Sequence, residues 1–298
     1  MSAPKSPSMT YAEWHAQGQA FAYNSHDIFY REAGEGAPLV LLHGFPTASW
    51  DWHRIWQPLV DRYHLIAPDF IGFGHSAKPR SYDYSLVDQA DLVEALLKEK
   101  GIAKVHVLAH DYGDSVAQEL LARHIERQGK GELQLLTVCF LNGGIFPDTH
   151  RPLFIQKALA SPIGFLLTPF LTKKKLRKSF ENIFGPDTQP TAQEIDEFYD
   201  LIDRNKGQGI FHKLIRYMPE RRRQEARWVG ALEQSPLPMR FINGAMDPIS
   251  GKHVAEKYRK QVPGADVVLL ERIGHYPQTE DPEAVLEAYL KFREAAVR

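Results

Sequence analysis

A chain of 298 residues with 43% apolar content and a formal charge of −1 is long enough to bury one large core and carries no bulk charge to steer it toward nucleic acid. Its one cysteine, Cys139, excludes an internal disulfide and lies in an apolar run, where a core thiol is expected. Residues 1–7 hold no apolar stretch long enough for a signal peptide, so a cytoplasmic address is the default expectation.

Residues 39–42, 64–67, 105–108, 135–141, 239–242 and 267–270 are apolar almost throughout, the pattern of strands buried on both faces of a parallel sheet. Helical stripes lie between them. Leu86, Ala90, Val93, Leu96 and Leu97 share one face of a helix over 86–98. Val116, Leu120 and Leu121 do the same over 114–124, which Asp114 and Ser115 are suited to start. The expected fold class is therefore α/β, a mostly parallel sheet covered by helices. The alternation stops after Phe146. Residues 147–235 offer helix-like segments at 153–160, 192–203 and 211–217 and no central strand. This divides the chain into a core, residues 1–146 and 236–298, and a helical cap, residues 147–235, inserted over the carboxyl ends of the strands, where open parallel sheets bind ligands. Within the insertion an apolar run at 163–171 precedes Lys173-Lys174-Lys175, and Arg221-Arg222-Arg223 forms a second basic cluster. A membrane-facing lid would account for both; packed helices with solvated basic flanks account for them as well and are the preferred reading.

Chemistry-bearing residues gather where strands end. His43-Gly44-Phe45-Pro46 follows the 39–42 strand; Gly44 permits a close turn and Pro46 removes a donor, so the Phe45 amide can point into a pocket. His110-Asp111-Tyr112-Gly113 follows the 105–108 strand. The Tyr112 amide, in the first turn of the next helix, lacks an intrahelical acceptor and can join Phe45 as a pair of oxyanion donors. Helix capping is the ordinary alternative role for Asp111. Asn243-Gly244-Ala245-Met246-Asp247-Pro248 and Gly274-His275-Tyr276-Pro277 end the next two strand units. The order Asp111, Asp247, His275 offers a nucleophile, an orienting acid and a base on successive sheet loops. His43, His106 and His110 read as supports of these turns, and no spacing among them forms a zinc signature, so no metal is expected.

These motifs, together with Asp69-Phe70-Ile71-Gly72-Phe73-Gly74-His75-Ser76, resemble the α/β-hydrolase superfamily, in the branch of epoxide hydrolases and haloalkane dehalogenases, over residues 25–293. More narrowly, His43-Gly44-Phe45-Pro46-Thr47-Ala48-Ser49-Trp50-Asp51-Trp52 and Asn142-Gly143-Gly144-Ile145-Phe146-Pro147-Asp148-Thr149-His150-Arg151-Pro152 resemble mesoderm-specific transcript proteins and their bacterial relatives. The resemblance implies an α/β-hydrolase fold with a helical cap. The usual elbow of that superfamily is Gly-x-Ser-x-Gly. Here Ala109-His110-Asp111-Tyr112-Gly113 puts Asp in place of Ser and Ala in place of the first Gly, and Ser115 falls inside the helix. By resemblance, Asp111 attacks carbon to form an alkyl-enzyme ester and His275 activates water against that ester while Asp247 fixes its tautomer. The Phe45 and Tyr112 amides hold the oxyanion, and no cofactor takes part.

The expected partner is an apolar small-molecule electrophile, an epoxide before others. Related epoxide hydrolases protonate the ring oxygen from cap tyrosines; Tyr217, in Leu214-Ile215-Arg216-Tyr217-Met218-Pro219-Glu220, falls in a similar position, with Tyr199 as a looser second candidate. Haloalkane dehalogenation is the first alternative, but Tyr112 stands where a halide-binding Trp is usual, leaving Trp14, Trp50, Trp52, Trp56 or Trp228 to be recruited. A carboxylic-ester hydrolase would pass through an anhydride, a less natural route. A fluoroacetate-type dehalogenase would need an arginine for the substrate carboxylate, with Arg80, Arg151 and Arg216 as candidates. A non-catalytic, ligand-binding member of the fold is the alternative of a different class.

Overall fold

A computed structural model describes residues 9–152, 154–161, 163–168 and 172–296. Eight strands run in chain order as β1 (Gln19–Tyr23), β2 (His26–Ala33), β3 (Ala37–Leu42), β4 (Tyr63–Pro68), β5 (Lys104–His110), β6 (Gln134–Leu141), β7 (Met239–Gly244) and β8 (Asp266–Leu270). They form one sheet in the order β1-β2-β4-β3-β5-β6-β7-β8. The β1–β2 and β2–β4 pairs are antiparallel and every other pair is parallel. The apolar runs become strands because helices cover both faces of the sheet centre: Leu39, Val40, Leu41 and Leu42 of β3 and Val105, Val107 and Leu108 of β5 are fully buried. Cys139 is likewise buried within β6.

Two strands, β1 and β2, precede the first run that the pattern predicts. Their composition hides them. β1 alternates exposed and buried positions on an edge, and β2 carries Arg31 in its centre. That arginine is buried all the same, its guanidinium 4.4 Å from the centre of the Trp14 ring and 5.0 Å from that of Trp56, and donating to the Trp14 carbonyl and Gln17.

The helix Leu86–Glu99 matches expectation, with Ser85 capping it by accepting from the Asp88 amide. The next, Tyr112–Glu126, starts earlier than predicted. Asp114 is therefore not its cap but sits inside the first turn, buried, with its carboxyl held well above the usual range by burial and by the charge of Asp111. Between β6 and β7 the described residues form helices and no strand: Phe154–Leu159, Lys173–Ile183, Ala192–Asp203, Phe211–Leu214, Tyr217–Arg223 and Glu225–Gln234 are the α-helices. The predicted 153–160 helix overlaps the first, although Leu153 itself lies outside the described residues. The predicted 211–217 helix is broken at residues 215–216. The three lysines at 173–175 open a helix whose Thr172 cap accepts from the Lys175 amide. Of the apolar run at 163–171, Ile163, Phe165 and Leu166 are exposed, and residues 169–171 lie outside the described residues.

Strand β3 fixes the turn that follows β5. The Gly113 amide donates to the His43 carbonyl at 3.0 Å, and a Cβ at Gly113 would sit 2.2 Å from the Leu42 carbonyl oxygen, so only glycine fits. Gly113→Ala should therefore lower the unfolding free energy by about 1–3 kcal/mol in denaturant titration. Gly209→Ala, where a Cβ meets nothing within 4 Å, should leave it unchanged. Equal stability of the two variants would contradict this packing.

Candidate active site

Asp111 ends β5 with φ 45° and ψ −99°, a backbone conformation that non-glycine residues rarely adopt. It occupies the N-cap position of the helix Tyr112–Glu126, yet its side chain makes no capping hydrogen bond. The carboxylate turns instead toward the loop after β3, where Oδ2 accepts from the Phe45 amide at 3.1 Å. Tyr112 supplies the first helical amide beside it, and its ring is buried against Phe70, Phe73 and Tyr217.

His275, in the loop after β8, and Asp247, in the loop after β7, form a second buried pair. His275 Nδ1 lies 2.8 Å from Asp247 Oδ2. Asp247 also accepts from the amides of Ile249 and Ser250, the Ser250 hydroxyl and Asn142 Nδ2. Burial opposes ionisation of Asp247, but the charge and hydrogen bond of His275, with Ser250 and the Ile249 amide, outweigh it and push the carboxyl down to about 2. For His275, burial favours the neutral ring; Asp247 and then Asp111 outweigh that and raise it to about 9. Asn142, just after β6, has no separate signal in the sequence beyond its motif. Its side chain exchanges hydrogen bonds with the Gly244 backbone as well as with Asp247, which ties the acid's loop to the neighbouring strand.

The other histidines support these turns. His110 Nε2 donates to the His275 carbonyl at 2.8 Å, and His43 Nε2 accepts from the Phe70 amide at 3.0 Å. His106 lies elsewhere on β5, bonded to Thr137 and Arg293. The His275 loop is clamped from both sides. Its amide donates to the Ile183 carbonyl, and Glu280 accepts from the amides of Gly274, Tyr276 and Gly185.

One residue at the site has no local signal in the sequence. Arg221 belongs to the triplet read as a basic cluster, yet it is 2% exposed. Its Nη2 donates to the Asp111 carbonyl at 2.9 Å and lies 3.6 Å from Oδ1, while Nε donates to Ser115 Oγ at 2.6 Å. The Tyr217 ring, one helical turn back, packs 4.5 Å from the guanidinium carbon. Burial raises the Asp111 pKa, but Arg221, followed by His275, His110 and the Phe45 amide, outweighs burial and holds it below the usual carboxylate range. Arg80, Arg151 and Arg216, the arginines considered for a substrate carboxylate, are all exposed.

Asp111 and His275 face the same cavity, of about 110 Å³. Its walls are apolar, with Phe45 from the core and Leu176, Phe180 and Phe211 from the helical segment, and Tyr199 also lines it. Tyr217 is not among the described lining residues. Its hydroxyl is buried without a hydrogen-bond partner among the described residues, and its ring packs at a tilt against Phe45, 5.6 Å between ring centres. None of the five tryptophans lines the described cavity, and the indole N–H groups of Trp14, Trp50 and Trp228 already donate to Ser49, the Met9 carbonyl and Glu119. Among the described residues no group of three or more His, Cys, Asp and Glu could hold a metal ion, and no helix is long and apolar enough to cross a membrane.

Comparison with known proteins agrees with this architecture. The mouse (Mus musculus) mesoderm-specific transcript protein is 42% identical over 292 residues, covering 94% of this chain and 86% of that protein. Haloalkane dehalogenase DbeA from Bradyrhizobium elkani USDA94 superposes with a TM-score of 0.80 at 24% identity, covering 94% of this chain and 98% of the other. Epoxide hydrolase CorEH superposes at 0.78 and 21% identity, covering 94% and 99%. At such identities the two solved structures speak to the fold alone. A match of residues 39–288 to the alpha/beta hydrolase family, on a mostly parallel eight-stranded sheet, establishes that the chain belongs to that family.

Proposed function

We propose that this chain is a cofactor-independent hydrolase in which Asp111 attacks an electrophilic carbon, with an epoxide as the preferred substrate and residues 147–235 acting as its cap. The observation that carries the reading is the shared cavity: an ionised carboxylate without a capping bond and a carboxylate-oriented imidazole open onto one apolar space. Asp111 opens the ring and becomes an alkyl ester; the proton for the departing oxygen comes from a phenol, Tyr217 or Tyr199. His275 then removes a proton from water as it attacks the Asp111 carboxyl carbon. The Phe45 amide already touches an Asp111 oxygen, so with the Tyr112 amide it is suited to hold the oxyanion.

Alkylation itself prepares the second step. Esterified Asp111 carries no charge, so one of the groups that stabilise imidazolium is removed, and His275 loses its proton more readily. Haloalkane dehalogenation is less well supported, because no indole N–H reaches the described cavity to receive a halide.

A single turnover in heavy-oxygen water should place label in the carboxyl group of Asp111; diol carrying all of the label would reject attack by that carboxylate. Hydrolysis of the preformed ester needs neutral His275. Its rate should therefore rise with pH and level off, with a midpoint between the ordinary imidazole value of about 6.5 and the resting-state value of about 9. A flat profile across that range would remove His275 from the base role. Tyr217→Phe should slow ester formation from an epoxide by about 10²-fold or more and leave ester hydrolysis unchanged. If Tyr199→Phe has that effect instead, the donor is Tyr199; if neither does, epoxide opening assisted by these tyrosines is rejected.

A further inference from the structure

A second cleft, of about 420 Å³, shares no lining residue with the cavity that Asp111 faces. His150, Lys157, Arg221 and Arg222 line it together with apolar atoms of Pro147 and Met218, and no acidic residue is among its described lining. Lys157 and Arg222 form no ion pair among the described residues and are exposed at its mouth. Its inner end is different in kind. Arg221 spends Nη2 on the Asp111 carbonyl and Nε on Ser115, but Nη1 is buried with no hydrogen-bond partner among the described residues. Both ring nitrogens of His150 are buried in the same condition. Burial, and then the charge of Arg221, push His150 down to about 4, so its ring is neutral and keeps one N–H to donate, whereas the Arg221 guanidinium is charged; an orphaned charged donor inside a protein is costly unless something satisfies it.

The two orphans lie together against Gly144: a Cβ built there would be only 2.7 Å from Arg221 Nη1 and 2.8 Å from His150 Nδ1, so both groups pack on a position that only glycine fits. A guanidinium N–H and an imidazole side by side in a cleft that Lys157 and Arg222 also line suit an oxyanion. We propose that this cleft is an anion-binding site, taking a phosphate or a carboxylate whose oxygen sits between Arg221 Nη1 and His150 while Lys157 and Arg222 attract it from the mouth. With Nε and Nη2 already engaged, Nη1 is the guanidinium nitrogen left to give such an oxyanion a charge-assisted hydrogen bond. His150 donates from whichever ring nitrogen faces the ligand, since no protein group fixes its tautomer. Met218 and Pro147 give an apolar rest for an alkyl chain attached to a carboxylate. Because the same guanidinium holds Asp111, a ligand here touches the support of the elbow without entering the cavity where His275 lies.

The site does not depend on the hydrolytic reading and is tested on the free protein. Titration calorimetry with inorganic phosphate and, separately, with hexanoate should show saturable binding of at least one, in chloride buffer at constant ionic strength. His150→Phe, which keeps an aromatic ring and removes both unpartnered nitrogen atoms, should abolish it. Lys157→Gln, an exposed change outside the elbow, should weaken it by about tenfold, the weight of one charge-assisted contact, with folding unaffected. Binding of phosphate assigns the site to phosphate groups, and binding of hexanoate alone assigns it to carboxylates with an apolar tail. No saturable heat with either probe, or wild-type affinity in a folded His150→Phe protein, would overturn the proposal.

Discussion

A charged carboxylate at the end of a strand buried on both faces is the constraint around which the molecule is arranged. Removing such an ion from water costs on the order of several kcal/mol even after the protein relaxes, and Asp111 is only 3% exposed. Its neighbours answer that cost from three directions: the Phe45 amide from the loop after β3, His275 from the loop after β8, and Arg221 from the helical segment. Each donor comes from a distant part of the sequence. The strained backbone of Asp111, with Gly113 pressed against the end of β3, keeps the carboxylate off the helix N-terminus that would otherwise absorb it.

The second buried acid is treated in the opposite manner. Asp247 receives five hydrogen bonds and is locked, whereas Asp111 receives one through its side chain, has Arg221 at ion-pair distance from its other oxygen, and lines the cavity. Environment alone makes one carboxylate fully hydrogen-bonded and leaves the other facing a cavity. The helical segment is part of this separation as well as a cover. Consecutive residues of one of its helices reach into the core: Glu220 accepts from the Leu86 and Val87 amides at the start of the helix Leu86–Glu99, and Arg221 reaches the elbow.

Much of this was legible in the sequence. The parallel strands announce themselves because burial on both faces leaves only apolar residues, and the elbow, Asp247 and His275 follow strand ends that could be located. What escaped did so for identifiable reasons. β2 hides behind Arg31, a charge satisfied by tryptophan faces and carbonyls that no local pattern predicts. Arg221 sits in a run of three arginines, the ordinary look of a solvated surface, and only the three-dimensional fold distinguishes it from exposed Arg222 and Arg223. Asn142 and Glu280 act through backbone amides far away in the chain. Asp114 looked like a cap, yet φ at Asp111 moves the helix start forward and turns the polar residue inward.

Intact-mass analysis of a His275→Gln variant exposed to a panel of epoxides and haloalkanes tests the central claim most directly. A covalent adduct should accumulate, mapping to the peptide that contains Asp111, with the mass of a whole epoxide or of a haloalkane less hydrogen halide. Folded variant protein that stays unmodified across the panel, or carries its adduct on another residue, would contradict the assignment of Asp111 as the attacking group.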